Sequence, residues 1–129
     1  MAKFICIIFV QLFILSPLMA KDFIIYSIEH AVPMGYENEK VNKNYYLNLG
    51  RLQGVKAGSV VNVHRRKITK NQFHNYEQIE MDIKLGTLRI VHSEDYASIG
   101  VEDSKSSQSK DFAGHKGFMI GDIITVPTN

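Results

Sequence analysis

Glu80 and Asp82 stand two residues apart in an alternating run, Ile79-Glu80-Met81-Asp82-Ile83-Lys84-Leu85. On a strand such residues share a face, and the rise per residue puts their carboxylates about 7 Å apart. That is near the separation of an inverting glycosidase pair, where one acid protonates the leaving oxygen and the other activates water. The chemistry also needs a shaped cleft, and a solvated strand face accounts for the same spacing without one. A small hydrolase built on these two acids therefore ranks last among the readings of this chain.

Other reactive residue types are less organised. The five histidines are His30, His64, His74, His92 and His115. None has the short helical spacing of a zinc site. His64 and His92 fall at expected strand ends and form the pair from which a distant-ligand site would assemble, but solvated surface histidines are by far the better account of them. Ser104, Ser106, Ser107 and Ser109 lie in a polar stretch, and no Gly-x-Ser-x-Gly elbow occurs. The single cysteine, Cys6, lies in the apolar leader. The expectation is a protein that is not an enzyme and carries neither metal nor cofactor, with no small-molecule substrate.

The best candidate for a contact surface is Arg65, Arg66, Lys67 and Lys70 with Phe73 and Tyr76 nearby. Guanidinium forks recognise carboxylate and phosphate, and aromatic rings add stacking area. One reading is a protein-binding patch. The alternative is a basic loop for an anionic glycan, lipid headgroup or nucleic acid, although export argues against nucleic acid. The plainest account is a charged loop that keeps strand ends from pairing with other chains.

Export is read from the leader. Lys3 precedes an apolar run, Phe4 to Leu15, interrupted only by Gln11; Pro17 and a small residue, Ala20, follow. This is the layout of a secretory signal peptide over residues 1–20, cut after Ala20. The run is short for a membrane span, so any membrane attachment would come through an uncleaved leader. The remaining residues, 21–129, suffice for one domain with its own core. They contain no cysteine, so disulfides cannot support that core, and a cysteine-free exported chain points to the bacterial periplasm or to secretion from a bacterium. The formal charge of the 129-residue chain is only +2, and no global basic field is present.

The elements that must position these side chains are organised around Asn44 to Val63. Gly50, Gly54 and Gly58 are spaced by four, with Val55 between the last two. Tyr45, Leu47 and Leu49 share one face before them, and Val61 and Val63 share one after. This predicts strand, tight corner, strand, with Val55 plugging the corner. Asp22 to Ala31 predicts an earlier strand that begins apolar on both faces. Ile79 to Leu85 predicts a strand with one apolar face, Gly86 a bulge or kink, and Thr87 to His92 its continuation. Lys70 to Gln78 reads as a long connection. Tyr96 to Glu102 predicts another strand, and Ile123 to Val126 the last, entered through a Gly121-Asp122 turn. Asp103 to Asp111 is polar and short of apolar residues, so 103–116 is expected to be a mobile loop. No long amphipathic helix is found beyond the leader. The fold expected is all-β: a small barrel of about six strands with glycine corners, preceded by a signal-peptide helix.

The ordered pattern adds a resemblance. Gly50-x-x-x-Gly54-Val55-x-x-Gly58-x-x-Val61-x-Val63 is followed by Leu85-Gly86-x-Leu88-x-Ile90, then Ala97-x-Ile99-x-Val101, then Ile120-Gly121-Asp122-x-Ile124. From about Tyr46 to Val126 this resembles the small β-barrel at the C-terminal end of flagellar assembly protein T and related envelope modules. Ser59 departs from the aspartate usual there. The resemblance implies a binding or assembly module whose partner is an envelope or surface-apparatus protein, and no catalytic residue carries over from it.

Overall fold

The computed structural model describes residues 22–103 and 117–128. The proposed signal peptide lies outside these residues, as does nearly all of the expected loop over 103–116. Six strands carry the fold: β1 (Phe23–His30), β2 (Lys43–Leu47), β3 (Val60–Asn71), β4 (Glu77–Ser93), β5 (Ser98–Glu102) and β6 (Ile123–Thr125). Every pairing is antiparallel. The strands are hydrogen-bonded in a closed cycle, β1-β2-β5-β4-β3-β6 and back to β1. The all-β expectation holds, and the described residues contain only one short helical turn, Arg51–Gln53.

The inward faces follow the alternation read from the sequence. Tyr45, Leu47, Leu49, Val61 and Val63 are fully buried, as is Val55 at the corner. Ile25, Leu85, Leu88, Ile90, Phe118 and Ile124 complete the core. Each buried aliphatic or aromatic side chain of this kind contributes about 1.5–3 kcal/mol.

The corner is built as its glycines suggest, for two different reasons. Gly54 and Gly58 have φ of 82° and 88°, in the left-handed region where a side chain is strained. Gly50 is extended, but a Cβ there would lie 2.0 Å from the Glu94 carbonyl oxygen. It is required by the close approach of the corner to the 94–97 turn, where Arg51 N donates to Glu94 O (2.7 Å).

The strand register is interrupted at three places, and the one beside Gly86 is the bulge or kink expected there. In β1 the register slips between Ile25 and Ser27, so Phe23, Ile25 and then Ile28 pack on the core, although Ile28 has the opposite parity. In β4 the irregularity falls beside Gly86, where Val63 pairs with Gly86 but His64 pairs with Lys84. A third lies between Ile90 and His92.

Other expectations are corrected. The long connection expected over Lys70–Gln78 is instead a tight turn over 72–76, because β3 runs on through the basic stretch to Asn71 and β4 starts at Glu77. Ile79 and Met81 were expected to share a core face with Ile83 and Leu85. Only Leu85 is buried and Ile83 partly so; Ile79 and Met81 lie beyond the core and remain about 40 % exposed. Tyr96, expected in a strand, sits in the bend before β5 and is exposed.

Candidate interaction surface

The residues singled out for contact lie on a two-stranded ribbon that projects from the closed cycle. β6 pairs with β3 only over Asn62–His64, and β5 pairs with β4 only over Leu88–Ser93. Over Arg66–Asn71 and Glu77–Asp82 the two strands pair with each other. Among the described residues no further strand covers their outer edges. The projection is about 20 Å long at the rise of an extended strand.

The ribbon separates the basic cluster onto two faces. Register places Arg66, Ile68, Glu80 and Asp82 on one face, and Lys67, Thr69, Ile79 and Met81 on the other. Phe73 and Tyr76 sit in the turn at the tip, 95 % and 70 % exposed. Asn75 and Tyr76 both have positive φ, 44° and 57°. Asparagine tolerates that region, whereas a bulky ring occupies it rarely.

The two arginines are engaged within the chain. Arg65, at the root of the ribbon, points to the loop before β6. Its Nε donates to Asp122 Oδ1 and its Nη2 to Asp122 Oδ2, both at 2.9 Å, and Nη2 also donates to Gly117 O (3.2 Å). Asp122 is almost fully buried and accepts a further bond from Met119 N (2.8 Å). Gly121, at φ 94°, makes the turn that aims this carboxylate. The hydrogen bonds that Arg65 donates to Asp122 hold its guanidinium above its ordinary pKa, against a smaller lowering effect of burial.

Arg66 lies on the opposite, more open face. It bridges Asp82 (3.2 Å), Asp22 (3.1 Å) and Glu80. These contacts raise its pKa, the Asp82 hydrogen bond most. The acid pair Glu80 and Asp82 thus clasps an arginine across the strands. Lys67 and Lys70 occupy β3, and Lys67 also has an interaction partner.

The histidine pair is not brought together as a metal site. His64 Nε2 is 2.9 Å from Thr125 Oγ1, and His92 Nε2 is 2.8 Å from Glu94 Oε1. Among the described residues, no group of three or more His, Cys, Asp or Glu is arranged to hold a metal ion.

Sequence reasoning missed a second surface. Lys40, Lys43 and Arg89 line a groove of about 790 Å³, together with Val41, Val91, Val101 and Glu102. Its cations come from an irregular segment and two strands that are distant in sequence, so no local cluster marks them.

No protein-family model matches the chain, and no curated protein does.

Proposed function

We propose that this chain is an exported, non-enzymatic β-barrel module that acts through protein contacts in the bacterial envelope, in a surface apparatus such as the flagellar basal body. The observation that supports it best is the projecting β3–β4 ribbon with Phe73 and Tyr76 exposed at its tip and Ile68 at 60 % exposure on its side. A lone two-stranded ribbon is marginal in water, and exposed apolar groups gathered on one projection favour a covering partner. The glycine pattern resembling the flagellar assembly barrel supplies the apparatus, and the leader supplies the compartment.

The engagement of Arg65 by Asp122, and of Arg66 by Glu80 and Asp82, weighs against a basic loop that captures anions at this place. It equally weighs against free carboxylates for hydrolysis.

Envelope fractions carrying a photo-crosslinking residue in place of Phe73 test the reading. The expected result is a discrete crosslinked protein that disappears when Ile68 and Tyr76 are changed to serine. A chain recovered only in the cytosol, or one that crosslinks to nothing from this position, would overturn it.

A further inference from the structure

The groove over β4 and β5 offers a site that is independent of the ribbon. Three cations, Lys40, Lys43 and Arg89, face it against one carboxylate, Glu102. Glu102 already accepts a 2.6 Å hydrogen bond from the Tyr45 hydroxyl. The contrast among the arginines is informative. Arg51 bridges Glu94 and Asp95, Arg65 holds Asp122, and Arg66 holds Asp22, Glu80 and Asp82. Arg89 is exposed and, among the described residues, engages no carboxylate.

We infer that this groove binds an acidic, extended segment of a protein partner, with Arg89 and Lys43 taking its carboxylates. The excess of positive charge lining a concave surface favours an anionic occupant. The guanidinium fork suits a carboxylate in two-point contact. Val41, Val91 and Val101 give the same groove an apolar wall, and Asn42 and Asn44 add amide donors and acceptors. That mixture fits a peptide in which acidic residues alternate with aliphatic ones, since alternate side chains of an extended segment point to opposite sides. A nucleic-acid backbone would leave the valines unused and bring repeated phosphates against Glu102. The volume is within the usual range of ligand-binding clefts.

The test uses the purified protein and a fluorescent peptide of alternating aspartate and valine, read by anisotropy. The inference expects saturable binding that weakens with added salt. It also expects a loss of about tenfold or more when Arg89→Gln and Lys43→Gln are combined, the effect of removing charge-assisted hydrogen bonds. Val91→Asn should weaken binding too, while Arg66→Gln and Phe73→Ser leave it unchanged, so that this result stands or falls separately from the ribbon. Unchanged thermal melting shows that the groove variants are folded. Absence of saturable binding, indifference to the groove substitutions, or tighter binding of a single-stranded oligonucleotide or anionic lipid vesicles than of the peptide would each overturn the inference.

Discussion

The Arg65 guanidinium lies across the Asp122 carboxylate in a two-pronged contact, Nε to Oδ1 and Nη2 to Oδ2, each 2.9 Å. The pair ties the root of the ribbon to the loop that leads into β6, the strand that closes the cycle between β3 and β1. Both side chains are largely buried, at 15 % and 5 % exposure. Removing one partner leaves the other charge without compensation. Asp122→Ala should therefore cost about 3–5 kcal/mol, whereas Arg65→Met combined with Asp122→Ala should cost clearly less than the two single changes added. Urea denaturation of the four proteins of this cycle measures the coupling.

Gly50 and Gly54 separate two roles of glycine at one corner. Gly50→Ala places a methyl group against the Glu94 carbonyl oxygen, so backbone must move; a loss of about 3 kcal/mol or more is expected. Gly54→Ala meets open space and strains only φ, for about 1–2 kcal/mol. Thermal melts that ranked the two in reverse order would contradict the close-approach account.

Tyr45 links the core to alkaline stability. Its ring is fully buried and meets Phe118 edge-on at 5.6 Å, while its hydroxyl donates to Glu102. Burial first, and then the Glu102 hydrogen bond and charge, push its pKa well above the ordinary tyrosine value. The folded state thus holds this proton more tightly than the unfolded chain. The associated stability is complete below the unfolded value of about 10 and is lost as pH rises through and beyond it. Tyr45→Phe should lower stability at neutral pH by about 1.5 kcal/mol, from the lost charge-assisted bond. It should also flatten the decline above about pH 10. Denaturation midpoints across that range read both effects.

Arg66 joins the two strands of the projection through Glu80 and Asp82 and reaches back to Asp22. Arg66→Gln should speed hydrogen exchange at the paired amides of 66–71 and 77–82 while leaving exchange in β1, β2 and β5 unaltered. Local fraying without global loss is the behaviour of an exposed unit anchored at one end. Equal acceleration throughout the sheet would show instead that the network supports the whole fold.

Tyr76 occupies a left-handed conformation, φ 57°, at the exposed tip. Tyr76→Gly relieves that strain and should stabilise the turn by about 0.5–1 kcal/mol, after the extra entropy of glycine in the unfolded chain is counted. If the ring is retained for contact, the same change weakens partner capture while raising the melting temperature. A stabilised variant with undiminished crosslinking from position 73 would show that the Tyr76 ring is not needed for the contact.

From the residues alone, the period-2 runs at Tyr45–Leu49 and Val61–Val63 and the glycine corner between them determined the all-β character of the described residues and named half of their buried hydrophobic side chains. This was legible because burial on one face of a strand is written locally, one residue in two, and positive φ selects glycine wherever it falls. The destination of charge was not legible. Arg65 and Arg66 are neighbours in sequence, yet alternation turns one toward Asp122 and the other toward Glu80, Asp82 and Asp22, which are brought near only by the register of β3 on β4 and by closure through β6. The same register carried Ile79 and Met81 past the core, and the pairings of β2 with β5 and of β5 with β4 set Lys40, Lys43 and Arg89 around one groove. Pairings between distant strands depend on bulges and on closure of the cycle, which are properties of the assembled sheet, so they were decided only by the tertiary structure.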